Sequence, residues 1–222
     1  MKKEFVNKLG EEKGTAFYHF ASEVLRLANL WTEFKLLFSS SEKANEILNN
    51  SVPSLFAMIR QSLIRDIVTS IRKLYDPRGS PGKRNLCLET IVNMFSDDIE
   101  VPFLTNEKEK LSSDLELLKL FRNKIYSHNS YEFLVEGKIK IESFDKELLD
   151  RVVDSLKMSY SSMHKSLFDS SVIYVALSRG DSNELLRKLE RAKRYECMYF
   201  REMEKMNDFD SDFDIKDLKS DK

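Results

Sequence analysis

Apolar side chains recur at intervals of three and four along most of this chain, and each such stretch predicts a helix with one buried face. In residues 15–38 the positions are Ala16, Phe20, Val24, Leu27, Trp31, Phe34 and Phe38. Ser39, Ser40 and Ser41 interrupt the pattern, and a serine there can cap a short helix over 42–48. Ser51-Val52-Pro53 restarts it, since proline is tolerated in a first helical turn. Leu55, Met58, Ile59, Leu63, Ile67, Ile71 and Leu74 then carry a second long helix to Tyr75-Asp76-Pro77. Residues 78–84 (RGSPGKR) read as a loop, and Asn85 as the cap of a short helix over 86–95. Residues 97–106 read as a connector. A third long helix spans 107–127, with Leu111, Leu115, Leu118, Phe121 and Ile125 on one side. The period then changes: 131–135 and 138–141 are β-prone around Glu136-Gly137 and predict a small hairpin. Asp145 opens a fourth long helix, with Leu148, Leu149, Val152, Leu156, Tyr160 and Met163 inward and the pattern extending towards Leu177. Residues 178–181 break it, Asp181 is a candidate cap, and a highly charged last helix follows over 182–206.

These elements predict an all-α bundle of long antiparallel helices with one small β-hairpin. The expected organisation is an N-terminal segment (1–14), one helical domain (15–206) and an acidic tail (207–222). The tail holds only Phe209, Phe213, Ile215 and Leu218 as bulky apolar residues, too few for a core, so it is expected to order only on binding.

Composition agrees with helices: glycine (6) and proline (4), which break them, are scarce in 222 residues. The 41% apolar content suffices for a core, and the 33% charged content covers a polar surface. The net charge of −1 excludes a global basic field, so any nucleic-acid site must be local. Cys87 and Cys197 stand in no ligand spacing and read as reduced thiols. The N-terminus lacks an apolar signal region, and the densest apolar run, residues 172–177, falls far short of the ~20 residues of a membrane span. A cytoplasmic protein without membrane contact is expected.

The candidate chemistry lies at the end of the third long helix, where Arg122, Asn123, Lys124, Tyr126 and His128 cluster. RNA can be cut without a metal when its 2′-hydroxyl attacks the adjacent phosphate. The reaction needs a group that moves protons near neutral pH, which histidine supplies. It also needs a cation that steadies the phosphate, which the arginine fork supplies. On a continuous α-helix Arg122 and His128 would point about 120° apart, so they converge only if the helix ends or bends, or if a second copy completes the site. Tyr126, four residues after Arg122, would share its face. A plainer origin exists, because cations are favoured near helix C-termini whatever their function.

Arg122 to His128 resembles the HEPN motif: an arginine, a polar residue, four further residues and a histidine. A second stretch, from Ser54-Leu55-Phe56 through Leu63-Ile64-Arg65-Asp66-Ile67 to Ser70–Pro77 and then Asn85-Leu86-Cys87-Leu88, is similar to the AbiU-type branch associated with bacterial abortive infection. The resemblance covers roughly residues 15–195. It implies a helical bundle that pairs two-fold, so that both motifs face one cleft. It further implies a metal-independent endoribonuclease of antiviral defence or a toxin–antitoxin system, with RNA as substrate and no cofactor. Arg122 and His128 carry over as the catalytic pair and Asn123 as the polar residue. Some HEPN toxins place a tyrosine two residues after the histidine; here Ser130 holds that position and Tyr131 follows.

Several residues admit two readings. Asp66, the one acid between Leu55 and Ile71, either orients Arg122 or His128 across the bundle or is an exposed acid paired with Arg65 or Arg72. Lys124, together with Arg187, Lys188 and Arg191 of the last helix, can contact RNA phosphates. Glu184, Glu190 and Glu196 equally suit a solvated helix face. His19 and His164 have no ligand partners nearby in sequence and read as ordinary helix histidines, with no metal site. The alternatives to a nuclease are a non-catalytic nucleotide- or nucleic-acid-binding module acting through a partner protein, and a structural adaptor. The tail can mimic RNA, recruit a basic antitoxin, or simply solubilise the terminus.

Overall fold

Helix α2 (Glu11–Phe38) is the axis of the molecule because its apolar stripe is almost wholly buried: Phe17, Phe20, Val24, Leu27, Trp31 and Phe34 all face the core. The computed structural model describes residues 2–77, 79–80, 83–126, 145–172 and 181–206. The other described elements are α1 (Lys2–Leu9), α3 (Glu42–Ser51), α4 (Pro53–Tyr75), α5 (Leu88–Met94), α6 (Val101–Lys110), α7 (Ser112–Phe121), α8 (Lys146–Phe168) and α9 (Asp181–Met206). Among the described residues the architecture is an all-α bundle. It carries one two-residue antiparallel ladder, β1 (Gly79–Ser80) with β2 (Lys83–Arg84), in the predicted loop. The expected hairpin over 131–141 lies outside the described residues, as does the tail.

Antiparallel packing follows from cross-helix contacts. Arg26 of α2 meets Asp66 and Ser70 of α4, while Phe38, twelve residues later, lines a cavity with Pro53 and Phe56. On the other side, Trp31 of α2 donates to Asp150 of α8, whereas Phe17 packs on Tyr160 and Phe168. Each fully buried Phe, Leu or Ile in this interface contributes about 1.5–3 kcal/mol. Asp150 also accepts from Lys35 at 2.7 Å. Burial alone would raise its pKa, but the hydrogen bonds from Lys35 and Trp31 and the charges of Lys35 and Lys146 outweigh it, and the net shift is downward.

Capping decides several boundaries. Ser41 accepts from the Ala44 amide and Asp145 from the Leu148 amide, as the sequence predicts. Helix α5 starts later than expected, with Cys87 at the N-cap position and no side-chain cap bond, while the Asn85 amide donates to the Pro77 carbonyl instead. Helix α8 stops at Phe168, where Asp169 takes a left-handed conformation with φ 51°. Helix α9 begins at Asp181, which lies inside the first turn where an acid complements the dipole.

The largest departure concerns the third long helix, which is three pieces. Helix α6 starts at Val101, inside the expected connector, with Pro102 in its first turn. The Leu111 amide then bonds back to the Lys108 carbonyl and the axis breaks before α7. Arg122–Tyr126 forms a π-helical turn. The N-terminal segment is also structured: α1 buries Phe5 against Phe17 and Phe168, joined to α2 through Gly10 at φ 81°. No described helix is long and apolar enough to cross a membrane.

Candidate active site

The end of α4, the end of α7 and the middle of α2 converge on Arg122. Helix α7 is anchored by Leu115 and Leu118, both buried, and packs on α4. That packing brings the π turn against the C-terminus of α4. The Arg122 Nη1 donates to Asp76 Oδ2 at 3.2 Å. The other oxygen of Asp76 accepts from Arg72 Nη2 at 2.8 Å, and Arg72 Nη1 donates to the Leu115 carbonyl at 3.1 Å. Arg72 is buried, so it is a fixed post; Asp76 transmits that rigidity to Arg122, which remains about one-third exposed.

Arg122 and Asp76 stand on a ridge between two cavities. One, of ≈ 530 Å³, lies between α4, α6 and α7 and is lined by Tyr75, Lys108, Glu116, Lys119 and Asn123 among others. The second, of ≈ 680 Å³, lies between α2 and α4 and is lined by His19, Ser22, Glu23, Arg26, Lys73, Leu74, Asn85 and Leu86. Burial pushes the Tyr75 hydroxyl up to about 12, so it stays protonated at neutral pH and can donate but not act as a base. Among the described residues, no three His, Cys, Asp or Glu side chains gather closely enough to hold a metal ion.

The sequence-predicted residues do not all gather at one place. Arg122 and Asn123 line one cavity together, and Lys124 lies beside them, half-buried in the π turn. Because π geometry closes i→i+5 bonds, the 100° per residue of an α-helix does not hold through Arg122–Tyr126. The expected 120° separation assumed α-helical turns, which Arg122–Tyr126 does not have. Tyr126 ends the turn, while His128, Ser130 and Tyr131 lie outside the described residues. Asp66 meets neither Arg122 nor its expected neighbours Arg65 and Arg72. Its Oδ2 accepts from Arg26 Nη1 at 3.0 Å, and Arg26 also reaches Glu23 and Ser70. Asp66 thus braces a cation that lines the second cavity. Arg187, Lys188 and Arg191 are exposed on α9, which packs on α2 and α3 through Leu186, the Ser182–Glu33 hydrogen bond and the Lys43–Glu190 ion pair. None of the three lines either cavity beside Arg122.

Two residues at or beside the ridge escape a reading based on the motif. Asp76 stands four residues after Arg72 at the end of α4, an ion-pair spacing visible in the sequence, but nothing local shows that α7 delivers Arg122 to it. His19 projects from α2 into the second cavity, whereas its period alone marks it as an ordinary helix residue. His164 differs: its Nδ1 contacts the Ser170 carbonyl and its ring stacks on Phe168, where it helps close the end of α8.

A family model for HEPN proteins, described as AbiU2, matches residues 11–187, more than three quarters of the chain. No curated protein and no solved structure matches. The chain therefore belongs to AbiU2, the AbiU abortive-infection branch of the HEPN superfamily. The match takes in Arg122, His128 and both cavities but leaves out most of α9.

Proposed function

We propose that this HEPN protein is a metal-independent endoribonuclease of bacterial antiviral defence or of a toxin–antitoxin pair, acting in the cytoplasm as a two-fold dimer. The carrying observation is Arg122 itself: a half-buried guanidinium fixed by Asp76 at an open ridge, six residues before the only histidine of the motif. Guanidinium has five N–H donors, so one contact to Asp76 leaves capacity to grip two phosphate oxygens.

In this reading the RNA 2′-hydroxyl attacks the neighbouring phosphorus while the bond from phosphorus to the 5′-oxygen breaks. His128 takes the proton from the nucleophile or returns one to the leaving oxygen. Arg122 steadies the charge that builds on the phosphate, and its rigid mount means little reorganisation is needed as the reaction proceeds. The products carry a 2′,3′-cyclic phosphate and a 5′-hydroxyl. Asn123 holds the ligand or the turn. Lys124 and the α9 cations Arg187, Lys188 and Arg191 supply phosphate contacts, the latter along a longer RNA.

The test is purified wild type against His128→Ala on total RNA with EDTA present. Cleavage by the wild type that the variant loses supports the reading; equal cleavage by both, or none by either, ends it. A second reading, a non-catalytic nucleotide- or nucleic-acid-binding module that works through a partner protein, draws on Ser130 in place of the expected tyrosine. It is selected by nucleotide-dependent thermal stabilisation without RNA cleavage.

A further inference from the structure

Resting on that reading, we propose that the cavity between α2 and α4 is a subsite for one unstacked nucleotide of single-stranded RNA, next to the phosphate held at Arg122. Arg122 and Asp76 line both cavities. A phosphate on that ridge therefore has one cavity on each side, within reach of the flanking nucleotides. The two differ in chemistry. On the α6–α7 side both lysines have a carboxylate beside them, Glu89 at 3.7 Å from Lys108 and Glu116 at 3.1 Å from Lys119. On the α2–α4 side Lys73 is exposed and has no ion pair among the described residues. An uncommitted ammonium suits a phosphate.

The rest of that wall suits a base. Leu86 is an exposed apolar side chain, and the exposed His19 lines the same cavity. Together they offer the apolar and aromatic surface on which an unstacked base rests. Asn85 lines the same cavity and donates through Nδ2 to the Pro77 carbonyl, which leaves its Oδ1 as an acceptor for a base edge. Arg26 is taken up by Glu23, Asp66 and Ser70, so it lends positive potential rather than a direct contact. At ≈ 680 Å³ the cavity is in the range of small-ligand sites and far too small for a duplex.

The probe is a fluorescent 2′-O-methyl tetranucleotide, whose blocked hydroxyl prevents cleavage, so binding is read apart from reaction. Anisotropy is measured for the wild-type chain, Lys73→Glu, His19→Ala and the remote control Lys165→Glu, after each is shown to melt like the wild type. Lys73→Glu is expected to weaken binding roughly ten-fold and to lower the salt slope of log Kd by about 0.7, the loss of one single-strand phosphate contact. His19→Ala is expected to weaken binding several-fold with the salt slope unchanged, because stacking a base on a ring neutralises no phosphate. Lys165→Glu should bind as the wild type does. Wild-type affinity in Lys73→Glu and His19→Ala overturns the subsite, and so does a wild type that does not bind the probe. If that wild type still cleaves RNA, only the subsite falls; if it neither binds nor cleaves, the nuclease reading falls too.

Discussion

Arg72 gives up nearly all contact with water, and the consequences reach Arg122. Its Nη1 and Nη2 are satisfied by Leu115 and Asp76, while its Nε has no partner among the described residues. The cation already forgoes one hydrogen bond, so the Asp76 carboxylate is the term that makes its burial tolerable. Asp76→Asn is expected to cost about 3 kcal/mol, the lower range for breaking a buried pair. Arg122→Ala, which removes a partner about one-third exposed, should stay within about 1 kcal/mol. Urea denaturation of both variants reads the difference. Equal midpoints would mean that Asp76 positions Arg122 without supporting Arg72. At this scale the sequence marked Arg122 as a motif residue and Asp76 only as the end of a helix, and it offered Asp66 rather than Asp76 as the acid beside Arg72. It did not display their union, because 46 residues separate Asp76 from Arg122 and only the α4–α7 packing closes that gap.

Among the elements, the long helices were legible because burial of one face imposes a period that survives any local irregularity. Their interruptions were not. Leu111 keeps the apolar period of α7, so the break before it leaves no trace in the pattern, and a π turn inserts no marker residue. Helix α1 was missed for another reason: it is short and mostly polar, and only Phe5 of it is buried. What holds it is the close approach at Gly14. A Cβ there would lie 2.6 Å from the Phe5 carbonyl oxygen and 2.6 Å from the Val6 Cα. Gly14→Ala must push α1 off α2, despite the better helix propensity of alanine, at a cost of about 1–3 kcal/mol. The expected result is a lower melting temperature with faster amide exchange across residues 2–9. Unchanged exchange there would show that α1 accommodates the methyl group by sliding.

At the level of the whole molecule, the ridge of Arg122 and Asp76 lies where three elements meet, and the proposed dimer would set two such ridges face to face. A composite cleft makes a mixing experiment informative. Arg122→Ala and His128→Ala chains, each inactive alone, are expected to recover cleavage when refolded together, since the mixed pair retains one arginine and one histidine. Read by gel on total RNA, a mixture as inactive as its components would mean that each copy works alone.

The sequence by itself determined the helical class, the buried stripes, the Ser41 and Asp145 caps and the arginine–histidine motif, because each depends on residues within a few turns of one another. Tertiary packing alone decided that Asp76 rather than Asp66 receives Arg122, that Asp66 braces Arg26, and that His19 faces the cavity. Those outcomes depend on where separate helices cross, and crossing points are set by how whole faces interlock rather than by any local period.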